Sequence, residues 1–134
     1  MDDSLEPFFD GETQSLVSRF EAMRREKQFI FFDVDEYEEI IDYYFSRNEQ
    51  KKALLTITAG LEQHPDHPYL RIRMAQYLIN AKRVHEALRI LKELESPDTW
   101  DSDFHLSIGN LYSQLEKPEK AISAYTRASQ ETDY

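Results

Sequence analysis

Three alanines, Ala53, Ala87 and Ala121, recur at intervals of 34 residues. Alignment of the chain at this period, without a gap, brings five further columns of residues into register. They are Leu54, Leu88 and Ile122; Ile57, Leu91 and Tyr125; Ile40, Met74 and Ile108; Ile41, Ala75 and Gly109; and Tyr44, Leu78 and Tyr112. A fixed period of this length is typical of a repeat protein, in which each unit buries its apolar face against its neighbours.

Each repeated unit contains two apolar stripes at helical spacing, with a polar break between them. The pattern therefore predicts two helices per unit, the first called helix A and the second helix B. They span residues 35–47 and 50–63, then 68–81 and 84–95, then 102–115 and 118–130. The alanine column is predicted to lie where the paired helices approach closely, with Ala75 and Gly109 on the opposite side.

Local signals set the helix ends. Asp35 and Glu38 have the spacing of a capping box. Pro68 and Pro118 are predicted to occupy the first position of a helix, where the missing N–H costs nothing. Pro65 and Pro97 are predicted to stop the preceding helices.

The region before the repeats is predicted to form an amphipathic helix over residues 13–27, because Leu16, Phe20, Met23 and Lys27 have helical spacing. We expect this helix to cover the front face of the array as a cap. An alternative is that Phe29–Phe32, or Leu5, Phe8 and Phe9, enters a groove of this or a neighbouring chain.

Residues 34–134 resemble the tetratricopeptide repeat family. The last unit carries the closest match, and the first unit keeps part of the pattern. The matching residues are Ile108, Gly109, Tyr112, Ala121, Tyr125 and Ala128 in the last unit, and Tyr37, Tyr44, Ala53 and Pro65 in the first. The resemblance implies an all-α fold, an α-solenoid in which antiparallel helix pairs form a superhelix, here with an N-terminal capping helix.

Charge, helical spacing and the 34-residue period divide the chain into an acidic tail that we expect to be disordered (1–12), an N-terminal helix and linker (13–33), and three repeats (34–67, 68–101 and 102–134). The resemblance also implies that the A helices line a concave groove that binds peptides or partner helices. By register, the groove residues are Glu38, Asp42, Phe45, Tyr69, Ile72, Gln76, Ile79, Leu106, Asn110 and Ser113. Alternatively, neighbouring helices cover Ile72, Ile79 and Leu106.

The charge of the chain restricts its partners. The formal net charge is −10, and residues 33–49 carry seven acids against Arg47 alone. This acidity disfavours nucleic acid and is compatible with a basic or amphipathic protein segment. Alternatively, the acids form a solvated face that aids solubility. Some family members grip acidic chaperone tails with basic residues. The equivalent positions here are Glu38, Asp42, Arg73, Asp103 and Ser107, and three of these are acidic, so that mechanism is excluded.

Sequence signatures of catalysis or cofactor binding are missing. The three glycines are too far apart for a phosphate-binding loop, and there is no cysteine for a thiolate metal site. His64 and His67 could ligate a metal, but they lie in a proline-containing turn and are expected to be an adventitious pair. We therefore predict no enzyme activity, no cofactor and no metal, and keep a metal-binding or enzymatic protein only as a remote alternative.

The sequence has no apolar run long enough for a membrane span and no signal-peptide pattern, so we expect a cytoplasmic protein without membrane association. The predicted function is a non-enzymatic scaffold for protein–protein interaction. Because the array stops at Tyr134 with its last face uncovered, we expect a fragment of a longer repeat protein. The alternative function is self-association into a homo-oligomer.

Overall fold

The computed structural model describes residues 11–95 and 101–132. Seven α helices occur within these residues, and no strand does. They are α1 (Gly11–Glu26), α2 (Val34–Ser46), α3 (Gln50–Gln63), α4 (Pro68–Asn80), α5 (Val84–Leu94), α6 (Ser102–Gln114) and α7 (Pro118–Thr132). The chain divides into two compact units, Met1–Leu70 and Arg71–Tyr134, so that α4 begins in the first unit and continues into the second.

The predicted helices all form, and their ends differ from the predicted ends by no more than two residues. The A helices are α2, α4 and α6, and the B helices are α3, α5 and α7. The N-terminal helix is shifted towards the start of the chain. Lys27 was expected on its apolar stripe, but it follows the helix, is exposed, and has a φ of 55°.

The predicted capping box at the start of α2 is wrong by two residues. The observed N-cap is Asp33, whose Oδ1 accepts the Glu36 N–H at 2.8 Å, while Glu36 Oε1 accepts the Asp33 N–H at 2.9 Å. Phe32 precedes the cap and packs edge-on against Tyr37, with ring centroids 5.7 Å apart. This contact is a hydrophobic staple, which selects the earlier aspartate because Asp35 has no apolar partner four residues later.

The prolines act as predicted where the structure describes them. Pro68 and Pro118 are the first residues of α4 and α7. Pro65 follows the end of α3, whose C-cap is His64. Pro97 lies outside the described residues.

The A helices end in the same way in all three repeats. A residue with positive φ follows each helix, namely Asn48 (57°), Lys82 (65°) and Glu116 (57°). The next N–H bonds the carbonyl five residues back, with N–O distances of 2.8 to 2.9 Å to Tyr44, Leu78 and Tyr112. This arrangement is the Schellman motif, which satisfies carbonyls that a helix end would otherwise leave unpaired. The backbone conformation of the turn after each A helix therefore also repeats every 34 residues.

The alanine column lies in the core. Ala53 and Ala87 are fully buried, and Ala121 is 3% exposed. Gly109 of α6 is also closely packed, because a Cβ at this position would lie 2.6 Å from Cε1 of Tyr125 in α7. One predicted apolar column differs, since Ile122 is 63% exposed while Leu54 and Leu88 are half-buried. Ile122 therefore occupies the same repeat position as Leu54 and Leu88, but it does not belong to the core.

None of the helices in the described part of the chain combines the length and apolar character that crossing a membrane requires.

Candidate functional site

The first unit fixes its A helix through a buried tyrosine. The Tyr44 hydroxyl of α2 donates to Oε2 of Glu21 on α1 at 2.6 Å. Lys52 of α3 approaches the same carboxylate oxygen at 3.7 Å and lies 5.8 Å from the centre of the tyrosine ring. Burial of the phenol, together with the Glu21 carboxylate, raises the pKa of Tyr44. The three side chains join α1, α2 and α3.

The second unit repeats this arrangement. The Tyr112 hydroxyl of α6 donates to Oε1 of Glu95, the C-cap of α5, at 2.8 Å. Lys120 of α7 lies 3.7 Å from the same oxygen and 5.9 Å from the tyrosine ring. Burial and the carboxylate again raise the pKa of the phenol. The Tyr–Glu–Lys clamps thus fix α2 and α6 against the helices on either side of them.

Amide side chains connect the A helices of the second unit. Gln76 Nε2 of α4 donates to Oε1 of Gln114 on α6 at 3.2 Å, and Gln114 Nε2 returns a bond of 3.4 Å. Gln76 Nε2 also lies 2.9 Å from Oδ1 of Asn80. We call Gln76, Asn80 and Gln114 the amide cluster. Each amide offers both donors and an acceptor, as a peptide backbone does.

The amide cluster includes two residues that were not predicted. Asn80 and Gln114 each lie four residues after a predicted groove residue, Gln76 and Asn110 respectively. Residues at this spacing share one helix face. That spacing was the signal by which the sequence could have identified them.

The remaining predicted residues of the second unit differ in exposure. Leu106 is 47% exposed, so the alternative that neighbouring helices cover it does not hold within this unit. Ile72 is buried and Ile79 is half-buried. Asn110 and Ser113 are exposed, and Asn110 Oδ1 accepts the Tyr125 hydroxyl at 2.7 Å. Leu106 is therefore the exposed apolar residue of this set, whereas the burial of Ile72 agrees with the alternative that neighbouring helices cover it.

The first unit contains the other four predicted residues. Asp42 is exposed, whereas Glu38, Phe45 and Tyr69 are half-buried. The ring of Tyr69 lies 5.8 Å from that of His67. Two of these four side chains are carboxylates, so this part of the predicted groove is acidic.

The histidine pair has local hydrogen-bonding roles. His64 Nε2 lies 2.8 Å from the carbonyl oxygen of Phe32, and His67 Nδ1 accepts the Tyr69 N–H at 3.3 Å. Among the described residues, no group of three or more His, Asp or Glu side chains is arranged to hold a metal ion.

The aromatic run before α2 divides into buried and exposed residues. Phe32 is fully buried among Phe20 and Tyr37, whereas Phe29 and Phe31 are 78% and 57% exposed. Leu5, Phe8 and Phe9, the alternative groove segment, lie outside the described residues.

Comparison with known proteins agrees with this fold. A solved structure described as MamA MSR-1 C2 superposes with a TM-score of 0.55 at 19% identity, covering 90% of this chain and 67% of that one. No curated protein sequence matches. The family model described as "Psidin, N-terminal TPR repeats region" matches residues 38–133, which is more than half of the chain. The predicted all-α solenoid of tetratricopeptide type is confirmed, and the chain belongs to the Psidin N-terminal TPR repeats family.

Proposed function

We propose that this chain is a non-enzymatic, cytoplasmic scaffold that binds a peptide or partner helix along its A helices. Tetratricopeptide repeats in general support a role in protein interaction, and this family match supports that general role. The observation that carries the more specific proposal is the amide cluster, together with the exposed Leu106, which lies eight residues before Gln114 on α6. Amides can bond a peptide backbone, and an exposed leucine can take an apolar side chain.

Charge favours one kind of segment. Glu38 and Asp42 of α2 are carboxylates among the seven acids of residues 33–49. A basic or amphipathic segment would gain attraction from these charges, chiefly as a faster association rate. An acidic segment would be repelled at the same place. We therefore expect the bound segment to combine lysine or arginine with leucine-like side chains.

A binding experiment tests this proposal with two matched variants. Leu106 of α6 and Ile122 of α7 are both exposed apolar residues of the second unit, one on an A helix and one on a B helix. The probe is a fluorescein-labelled peptide that forms an amphipathic helix, with leucine on one face and lysine on the other. Its binding is measured by fluorescence anisotropy. We expect Leu106→Ser to lower its affinity about tenfold or more, because an apolar contact is lost, and Ile122→Ser to leave it unchanged.

The affected residues can be mapped by NMR, because the chain has a mass of only 15.9 kDa. Titration of the ¹⁵N-labelled chain with the same probe should shift the side-chain amides of Gln76, Asn110 and Gln114. Shifts confined to α3, α5 and α7, or an equal effect of both variants, would contradict binding along the A helices.

Self-association is the alternative, and the exposure of Ile122 favours it. An apolar side chain that is 63% exposed on α7 could be covered by a second copy. Sedimentation equilibrium of the same two variants separates the functions. Dissociation of an oligomer by Ile122→Ser, with probe binding absent in the parent chain, would replace the scaffold proposal with this one.

A further inference from the structure

The linker between α1 and α2 is held by the end of α3. Gln63 Nε2 donates to the Ile30 carbonyl oxygen at 2.9 Å, and Gln63 Oε1 accepts the Phe32 N–H at 3.0 Å. His64 Nε2 lies 2.8 Å from the Phe32 carbonyl oxygen. The amide of Gln63 thereby bonds the linker as the backbone of a neighbouring strand would. The bonded groups belong to alternate residues, as they do in an extended chain.

The other alternate residues of the linker face outward. Phe29 and Phe31 are exposed, while Phe32 is fully buried. The Phe31 ring contacts His64, with ring centroids 5.1 Å apart. Within the described residues, the backbone N–H and carbonyl of Phe31 form no hydrogen bond. The linker therefore presents two exposed aromatic rings and, along its edge, the unpaired backbone groups of Phe31.

These two rings border a cavity of about 660 Å³ between the end of α1, the linker and α3. Met23 and Ala59 contribute apolar surface to its wall. Pockets that hold small ligands and peptide side chains have volumes of about 300–1,000 Å³. The cavity is therefore large enough for apolar side chains of a bound segment.

The charge around the cavity is opposite in sign to that of the chain as a whole. Arg24 and Lys27 line it, and Arg25 lies in the same final turn of α1. None of these three cations forms an ion pair within the described part of the chain. Glu62 lies in the wall formed by α3, where it can accept N–H groups from a bound segment. Glu26 ends the same turn, so three bases face two acids here, and this rim around apolar surface is basic in a chain of net charge −10.

We propose that this surface binds an extended, acidic segment of a partner protein that carries aromatic side chains. The segment pairs with the free backbone edge of Phe31, and its rings pack against Phe29 and Phe31. Its carboxylates meet Arg24 and Lys27, whose charges the helix C-terminus also stabilises. This surface is separate from the amide cluster and selects a partner of opposite charge from the one expected on the A helices.

The test uses the full chain and a short fluorescein-labelled peptide of alternating phenylalanine and glutamate. A peptide of alternating phenylalanine and lysine is the matched control probe. We expect the acidic probe to bind, and its affinity to fall about tenfold or more in the double variant Phe29→Ser, Phe31→Ser. The charge variant Arg24→Glu, Lys27→Glu should also weaken binding by about tenfold, and added salt should weaken it in the parent chain.

Leu55→Ser is the control variant, because Leu55 is an exposed apolar residue of α3 outside the cavity. It should bind the acidic probe like the parent chain. Circular dichroism checks that each variant is folded. If the double phenylalanine variant does not fold, the charge variant provides the test. Equal binding of both probes, or unchanged binding in the folded variants, would overturn the proposal.

Two other occupants are distinguishable outcomes. If the acidic probe binds only after removal of residues 1–10, the chain's own first segment occupies the surface and the proposal is overturned. If the parent chain self-associates and the phenylalanine double variant does not, the occupant is a second copy, which also overturns it. Binding to the full chain as a monomer supports the proposal.

Discussion

The first unit and the second unit fix their A helices with the same three residue types. Tyr44 and Tyr112 are 68 residues apart, which is twice the repeat period, and so are Lys52 and Lys120. The glutamates do not follow the period, because Glu21 lies within α1 and Glu95 at the end of α5. Nevertheless, both carboxylates accept a tyrosine hydroxyl and approach a lysine.

Helix α1 therefore supplies the carboxylate that fixes α2, just as the end of α5 supplies the carboxylate that fixes α6. The repeat that contains α4 and α5 has Leu78 and Glu86 at the tyrosine and lysine positions, so the clamp cannot form there. A helix without the repeat pattern can therefore supply the preceding contact of a repeat if one carboxylate is placed correctly. This interpretation predicts similar responses from the two units wherever their contacts match, and different responses where they do not.

The largest expected effect is shared by both units. Ala53→Glu and Ala121→Glu each place a charged side chain where the alanine is almost completely buried. Each should lower the free energy of unfolding by more than about 3 kcal/mol, measured by urea denaturation. Lys51→Ala on the exposed side of α3 is the control and should change it by less than about 0.5 kcal/mol. Tolerance of either glutamate would show that the 34-residue register is wrong in that unit.

A second pair of substitutions should separate the units. In the second unit, Gly109→Ala brings a Cβ within 2.6 Å of the Tyr125 ring, which must move and lose its bond to Asn110. We expect a loss of about 1–3 kcal/mol in unfolding free energy. In the first unit, Gly60→Ala meets Leu70 and Tyr37 at 3.2 Å. Relief of the glycine helix penalty, about 1 kcal/mol, should offset most of that crowding.

Equal losses at the two glycines would contradict this difference in packing. A loss at Gly109 that persists when Tyr125 is also replaced by alanine would show that the ring is not the cause.

Removal of the tyrosine hydroxyls tests the clamps themselves. Tyr44→Phe and Tyr112→Phe each delete a hydrogen bond to a carboxylate and should cost about 1–2 kcal/mol in the same urea assay. Tyr37→Phe is the control in the first unit, since the buried Tyr37 hydroxyl has no hydrogen-bond partner among the residues that the structure describes. That change should be neutral or stabilising. If only one of the two substitutions lowered the free energy of unfolding, α1 and α5 would not have equivalent roles.

Alkaline pH tests the burial of the Tyr37 phenol separately. Burial, with the nearby Glu62 charge, raises the pKa of Tyr37 from 10.0 to about 12. Below about pH 10 the phenol is protonated in both folded and unfolded chains and contributes no pH dependence. Above that pH the unfolded chain loses the proton first, so stability falls until the folded pKa is passed. Urea midpoints between about pH 9 and about pH 11.5 should fall less steeply in Tyr37→Phe.

Much of the fold follows from periodic and local signals. Spacing along the chain, which a sequence displays directly, predicts the alanine column, the two prolines at helix starts and the six repeat helices. The capping box was misplaced because Asp33 and Asp35 both have a glutamate three residues later. Only the burial of Phe32 against Tyr37 distinguishes them, and that contact was also available as a local pattern.

The candidate site was less predictable because it depends on contacts between helices. The spacing indicated Gln76 but not that Gln114 would bond to it, since 38 residues separate them and no period relates them. Likewise, the run Phe29–Phe32 is uniformly apolar in sequence, and its division into exposed and buried rings results from two hydrogen bonds to Gln63. The predicted domain boundaries and the groove as a whole remain predictions.

The turns that close the A helices have a practical consequence for engineering. Each uses a left-handed residue, and Lys82 and Glu116 occupy it with side chains that disfavour this conformation by about 1 kcal/mol relative to glycine. The free energy of unfolding can therefore be raised by substitution at these two exposed positions. Glycine at both would stabilise the protein without changing either proposed binding surface, which would extend the temperature range in which weak complexes of this scaffold can be purified.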